Sequence, residues 1–247
     1  MRGTIRPSAI LAVSALLACL PAQAQQGQQQ RVPATQAQRV AACAACHGSA
    51  STPPSAIGSG ERQYFPRIAG KPAGYLYNQL INFREGRRQY PLMTWMVQHL
   101  SDDYLHEIAD YFSAQHLPAP VLDRASLPAA ELERGRLLVI RGDTALKVPA
   151  CIACHGERLT GALPAIPGLV GLPRDYINAQ FGAWRNGSRH ALVPDCMGSI
   201  ASRLSLADVS AISAWLASEP LPADPSPAPS LSRPLPLACG SAPEPKP

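Results

Sequence analysis

The sequence predicts an all-α fold built as two small helical domains in tandem, and three observations predict it. The run Cys43-Ala44-Ala45-Cys46-His47 returns 108 residues later as Cys151-Ile152-Ala153-Cys154-His155. Landmark residues around each run recur in the same order. Between the landmarks apolar residues fall at helical spacing, and no stretch shows the period-two alternation of a half-buried strand.

In chain order, a helix is expected before each CxxCH run, near 35–46 and 129–141. Pro66 to Gly70 (PRIAG) is echoed by Pro167 to Gly171 (PGLVG), and Tyr75, Gln79, Phe83 and Gly86 recur at an offset of 101 as Tyr176, Gln180, Trp184 and Gly187. Leu76, Leu80 and Phe83 match Ile177, Phe181 and Trp184 at i, i+4 and i+7, giving each half a second helix. The last helix of the first half carries the stripe Leu105, Ile108, Ala109 and Phe112, matched by Val209, Ile212 and Leu216. Ser101 and Ser205 are natural N-caps for these last helices, with Asp102, Asp103 and Asp208 in the first turns. Leu100-Ser101 and Tyr111 recur as Leu204-Ser205 and Trp215 at an offset of 104, so the length differences lie in loops. The largest precedes Pro66, which stands 19 residues after His47 where Pro167 stands 12 after His155.

Residues 1–24 read as a cleaved secretory signal: Arg2 and Arg6, an apolar run from Ala9 to Leu20 too short to span a membrane, then Ala22-Gln23-Ala24. Cys19, after Leu16-Leu17-Ala18, offers a rival reading as a lipoprotein processing site, which would anchor the chain by lipid. Residues 25–116 and 128–219 form the two domains, with 117–127 as linker. Ten of the last 28 residues are proline, so 220–247 reads as an extended or disordered tail. Loss of Arg2 and Arg6 takes the formal charge from +5 to +3. With no Lys/Arg run in the chain, nucleic acid is not an expected partner.

CxxCH is the spacing that attaches a c-type haem: two thiols add to the vinyl groups of one porphyrin, and the adjacent imidazole ligates the iron. A lone CxxC would be read as a zinc half-site or a redox dithiol. Two complete copies in an exported chain point to two covalently attached haem c groups, held by Cys43, Cys46, Cys151 and Cys154 with His47 and His155 on the irons. Of the seven cysteines, four are thus assigned and Cys19 leaves with the signal. Cys196 and Cys239 remain, either as a disulfide or as two free thiols.

For the distal positions the methionines beyond the initiator are Met93, Met96 and Met197. Met93 and Met197 each stand eight residues before the paired serines, whereas the counterpart of Met96 is Ile200, so Met96 reads as packing. Cys196 and His190 are rivals of Met197. His99, His106 and His116, unrepeated in the second half, read as surface residues. A thioether raises the haem potential and closes the iron to small ligands, which suits electron transfer.

The ordered set CAACHG, FPRIAG, YLYNQLINFREGRR, Met93, LSDDYLHEIADYFSAQ and ERGRLLVIRGD…VPACIACHG resembles the di-haem cytochrome c₄ family, with two class I cytochrome c domains, over nearly all of residues 35–218. The resemblance implies a helical bundle wrapped on each haem, haem edges facing each other, and the carbonyls of Pro66 and Pro167 accepting from Nδ1 of His47 and His155. Tyr75, Tyr176, Phe83 and Trp184 would be pocket or packing aromatics. It further implies a periplasmic one-electron carrier with a bc₁-type complex or a dehydrogenase as donor and a terminal oxidase, for example a cbb₃-type oxidase, as acceptor. Peripheral membrane association stays open. No catalytic residue is expected. The alternatives are a di-haem peroxidase with one open iron, and a cytochrome subunit of a dehydrogenase complex. Departures concentrate in the second half, which has Trp184 to Gly187 (WRNG) for Phe83 to Gly86 (FREG), Cys196 beside Met197, and the added tail.

Overall fold

The computed structural model describes residues 35–48, 65–118, 122 and 127–242. The signal segment and Cys19 lie outside the described residues, as do most of the loop before Pro66 and the middle of the linker. The first half holds α1 (Gln36–Arg39), α2 (Ala41–His47), α3 (Ala73–Arg84), α4 (Pro91–Val97) and α5 (Asp102–Ser113). The second holds α6 (Ala129–Arg141), α7 (Ile152–His155), β1 (Gly161–Ala162), β2 (Ile166–Pro167), α8 (Arg174–Arg185), α9 (Cys196–Ala201) and α10 (Leu206–Ser218).

The helical periodicities become the two cores. Leu76, Phe83, Leu105, Ile108, Ala109 and Phe112 gather with Val40 and Val97 in the first. Leu138, Val139, Ile177, Phe181, Val209, Ile212 and Leu216 anchor the second. Helices α3 and α5 pack on each other in the first half, as α8 and α10 do in the second, and α6 crosses α10. That crossing is close because position 135 is glycine: a Cβ there would collide with the Ala211 carbonyl.

The predicted caps form. Ser101 accepts from the Tyr104 amide, and Ser205 builds a reciprocal box with Asp208, whose carboxylate accepts from the Ser205 amide and hydroxyl. Arg134 on α6 ties that box to Asp143, at 2.9 Å from Asp208 and 3.0 Å from Asp143.

Three findings correct or sharpen the sequence reading. The helix expected near 35–46 is broken at Val40 into α1 and α2, the second of which carries the run through His47. A two-stranded antiparallel ladder pairs Gly161 with Pro167 and Ala162 with Ile166. Strands of two residues are too short to leave an alternating pattern. The segment expected as an extended or disordered tail is extended and laid on the body of the protein from 220 to 242. Ala228 exchanges backbone hydrogen bonds with Leu163 and Gly161, Arg158 reaches Asp224, and Cys239 is bonded to Cys196. Proline-rich chain forms no helix of its own, but here a covalent tether and an existing strand edge hold it extended.

The two halves meet along a short ribbon in which a segment pairs with its own repeat. Arg88 and Arg189 form an antiparallel bridge, the Gln89 amide donates to Ser188 and the His190 amide to Arg87. The start of the linker is also held, since the Arg67 guanidinium donates to the Leu117 and Pro118 carbonyls.

Candidate haem centres

In the first half one helix carries all three residues of the CxxCH run that the sequence singled out. Cys43 and Cys46, three apart on α2, share a face, and His47 follows at its end. Across the chain, His47 Nδ1 lies 3.1 Å from the Pro66 carbonyl. A carbonyl can only accept, so Nδ1 carries the proton and Nε2 is left with its lone pair. Met93, on the first turn of α4, packs with Cys43 against the same core. Met96 packs there too, as its repeat counterpart predicted.

The second centre repeats this with tighter enclosure. Cys151 caps the short α7, Cys154 and His155 lie on it, and His155 Nδ1 stands 2.8 Å from the Pro167 carbonyl. Cys151, Cys154, His155 and Met197 all line one apolar cavity, walled by Leu138, Phe181, Ile200 and Leu216. His190, a rival for the distal position, also lines it. Cys196, the other rival, is held in the disulfide and offers no thiolate.

Burial dominates the electrostatics. Desolvation lowers the pKa of His47, against the pull of the Pro66 hydrogen bond and with help from the Arg88 charge. His155 is lowered in the same way, with Lys71 as the nearby charge. Both imidazoles are thereby kept neutral, the form that ligates iron. Burial pushes the Cys151 thiol up to about 12, so before attachment it is a protonated apolar wall rather than a free thiolate.

The residues fit a haem. The second cavity is apolar, brings two thiols, an imidazole with a free lone pair and a thioether to its surface, and holds one orphan: Trp184 Nε1 is buried without a partner. A planar apolar group bearing carboxylates would fill the space and could satisfy that donor. A zinc site would instead need further ligands beside each CxxC, and among the described residues no three His, Cys, Asp or Glu side chains are placed so that they could hold a metal ion together.

Three residues of this region were not singled out from sequence. Arg88 and Arg189 are buried at the ribbon; their offset of 101, shared with Tyr75 and Tyr176, was the available signal. Lys71, buried as well, sends Nζ 2.8 Å to the Gly168 carbonyl of the other half. Its counterpart is Leu172, so no repeat marked it.

A duplicated all-α fold with two CxxCH centres, each imidazole buttressed by a proline carbonyl, defines a di-haem c-type cytochrome. No protein-family model matches the chain. It is 39% identical over 184 residues to the thiosulfate dehydrogenase electron acceptor of Thiomonas intermedia, covering 73% of this chain and 80% of that one. It is 33% identical over 180 residues to cytochrome c4 of Pseudomonas aeruginosa, covering 72% and 84%. Reduced cytochrome c4 from Pseudomonas stutzeri superposes with a TM-score of 0.58 at 31% identity, covering 72% of this chain and 94% of that one. The chain belongs to the cytochrome c₄ family. It is an electron-transfer protein whose cofactors are two covalently attached haem c groups.

Proposed function

We propose that the protein is a periplasmic one-electron carrier rather than an enzyme, with His47 and Met93 as axial ligands of one haem iron and His155 and Met197 of the other, in domains spanning 25–116 and 128–219. The observation that carries this reading is the single apolar cavity on which Cys151, Cys154, His155 and Met197 converge. When bound, each haem supplies reversible Fe(III)/Fe(II) exchange. The chain's contribution is positional. The Pro66 and Pro167 carbonyls orient the imidazoles and increase their donor strength, and the Met93 and Met197 thioethers would help hold the two haems, favour the reduced state and keep small ligands from the iron. Apolar walls exclude water, and no acid or base is required.

A dehydrogenase is the proposed donor, because the relative from Thiomonas intermedia is named as the electron acceptor of a thiosulfate dehydrogenase. A bc₁-type complex as second donor and a terminal oxidase as acceptor are carried over from the family resemblance alone. Export follows from the pattern of residues 1–24; among the described residues no helix is long and apolar enough to cross a membrane.

The test is optical spectroscopy of the intact ferric protein with haem quantification, followed by mixing with a thiosulfate dehydrogenase and its substrate. Two haems per chain, a Met–Fe(III) charge-transfer band and rapid reduction are expected. One haem, carbon monoxide binding to the reduced native protein, or peroxide turnover would overturn the carrier reading.

A further inference from the structure

A separate cavity of about 530 Å³ opens where the two halves and the tail meet. Its walls are the turn from Arg67 to Lys71, the start of the linker at Leu117 and Pro118, Thr160 and Gly168 of the second half, and the tail around Pro222 and Pro225. The charged lining is all of one sign. Arg67 and Lys71 are each more than nine-tenths buried, and His116 stands exposed beside them. Among the described residues no Asp or Glu lines the cavity. Asp224, the acid within the tail wall, is spent on Arg158 instead.

Both buried cations have only carbonyl partners. The Arg67 guanidinium donates to the Leu117 and Pro118 carbonyls at 2.6 and 2.8 Å, and Lys71 Nζ to the Gly168 carbonyl at 2.8 Å. None of the ion pairs among the described residues includes either one. N–H groups remain on both beyond those bonds. The two are near enough for the Arg67 charge to act on Lys71, adding to the effect of burial on its ammonium. Like charges buried together are costly unless an anion joins them. An oxyanion suits the rest of the lining, since Ser113, Thr160 and Ser226 bring hydroxyls that can donate to it, and a guanidinium matches paired oxygens better than a halide. Two fixed positive charges set the charge of the ligand at minus two.

We propose that this cavity is a binding site for a small dianionic oxyanion of the sulfate or hydrogen phosphate type, held between Arg67 and Lys71. The site joins three parts of the chain, because Lys71 also holds Gly168 of the second half and Arg67 the start of the linker, while the tail closes the outer wall. A bound dianion neutralises the pair and stabilises the assembled form by mass action.

The experiment is isothermal titration of the intact protein with sodium sulfate, and separately with sodium phosphate, at an ionic strength held constant with chloride, alongside the K71Q, R67Q, K71R and R136Q variants. Saturable binding at one site per chain is expected for at least one of the two anions. It should weaken at least about tenfold in K71Q and in R67Q, persist in K71R, which keeps the charge, and be unchanged in R136Q, whose arginine pairs with Glu133 on the exposed side of α6. No saturable binding of either anion, or parent affinity in K71Q or R67Q, would overturn the proposal; a cavity already filled by a group of the holoprotein itself gives that first result and counts against it. If the Gln variants do not fold, parent crystals soaked in selenate decide. An anomalous selenium peak within hydrogen-bond distance of Lys71 Nζ and the Arg67 guanidinium supports the site, and no peak there refutes it. Haem content enters none of these outcomes, so the site stands or falls apart from the haem reading.

Discussion

The first half leaves its methionine helix open and the second half ties its own down. On α4, Trp95 is 68% exposed and Leu92 47%, beside Met93. On α9, Cys196 is bonded to Cys239, and Leu235, Leu237 and Cys239 of the tail help close the cavity in which Met197 stands. The centres share the CxxCH run and the proline contact of its histidine, so what separates them is enclosure. Enclosure sets dielectric and solvent access, and these are levers on a haem potential when the axial ligands are the same. Duplication supplied the chemistry twice, and the additions to one copy made the copies inequivalent.

The disulfide is the strongest point at which to break this difference. Its cysteines are 43 residues apart, and on the loop-entropy model its loss costs about 4 kcal/mol. The C239S variant is expected to unfold at markedly lower urea concentration, with the charge-transfer intensity of one haem weakened and that of the other retained. Equal weakening of both would mean that the tether serves the whole molecule.

Next in size is the α6–α10 crossing, on which the second core depends. G135V places atoms where the Ala211 carbonyl lies and is expected to cost about 2 kcal/mol, read as a lowered denaturation midpoint at unchanged haem content.

The seam between the halves carries a pH signature. Burial, reinforced by the Arg67 charge, lowers the Lys71 ammonium from its ordinary 10.5 to about 7. Between those values the unfolded chain holds a proton that the folded chain has released. Stability therefore rises with pH across that window and levels off above it. Comparing urea midpoints at both ends of the window, the rise should be smaller in K71M than in the parent; an equal rise would assign it to other groups.

The smallest effect sharpens the comparison at the paired caps. S205A breaks a reciprocal box and is expected to cost about 1 kcal/mol, and S101A, where the serine caps alone, less. Thermal unfolding of the two variants side by side checks the order.

What was legible in the sequence was what is local or repeated. CxxCH, the two caps and the helical stripes each sit within a few residues of chain, and the prolines that meet His47 and His155 were found through the family resemblance. The Arg88–Arg189 seam is repeated but non-local: the offset was there to see, yet nothing in a single half says that an arginine will be buried against its own copy. Lys71 had no repeat to mark it. The tail's composition told only that it forms no helix or sheet of its own; its position is fixed by one distant thiol and a strand edge of two residues. The pairing of Cys196 with Cys239 likewise depends on geometry that spacing does not encode.

The ribbon at Arg88 and Arg189 has a consequence for ancestry. It joins a segment to its own repeat, residue 87 bonding to 190 and 89 to 188, so the surface is self-complementary in the manner of a two-fold homodimer. A lone domain carrying that segment would present the same donors and acceptors to a second copy of itself. The linker then did not have to create an interface; it had only to make permanent, and free to diverge, a pairing that identical subunits could already form.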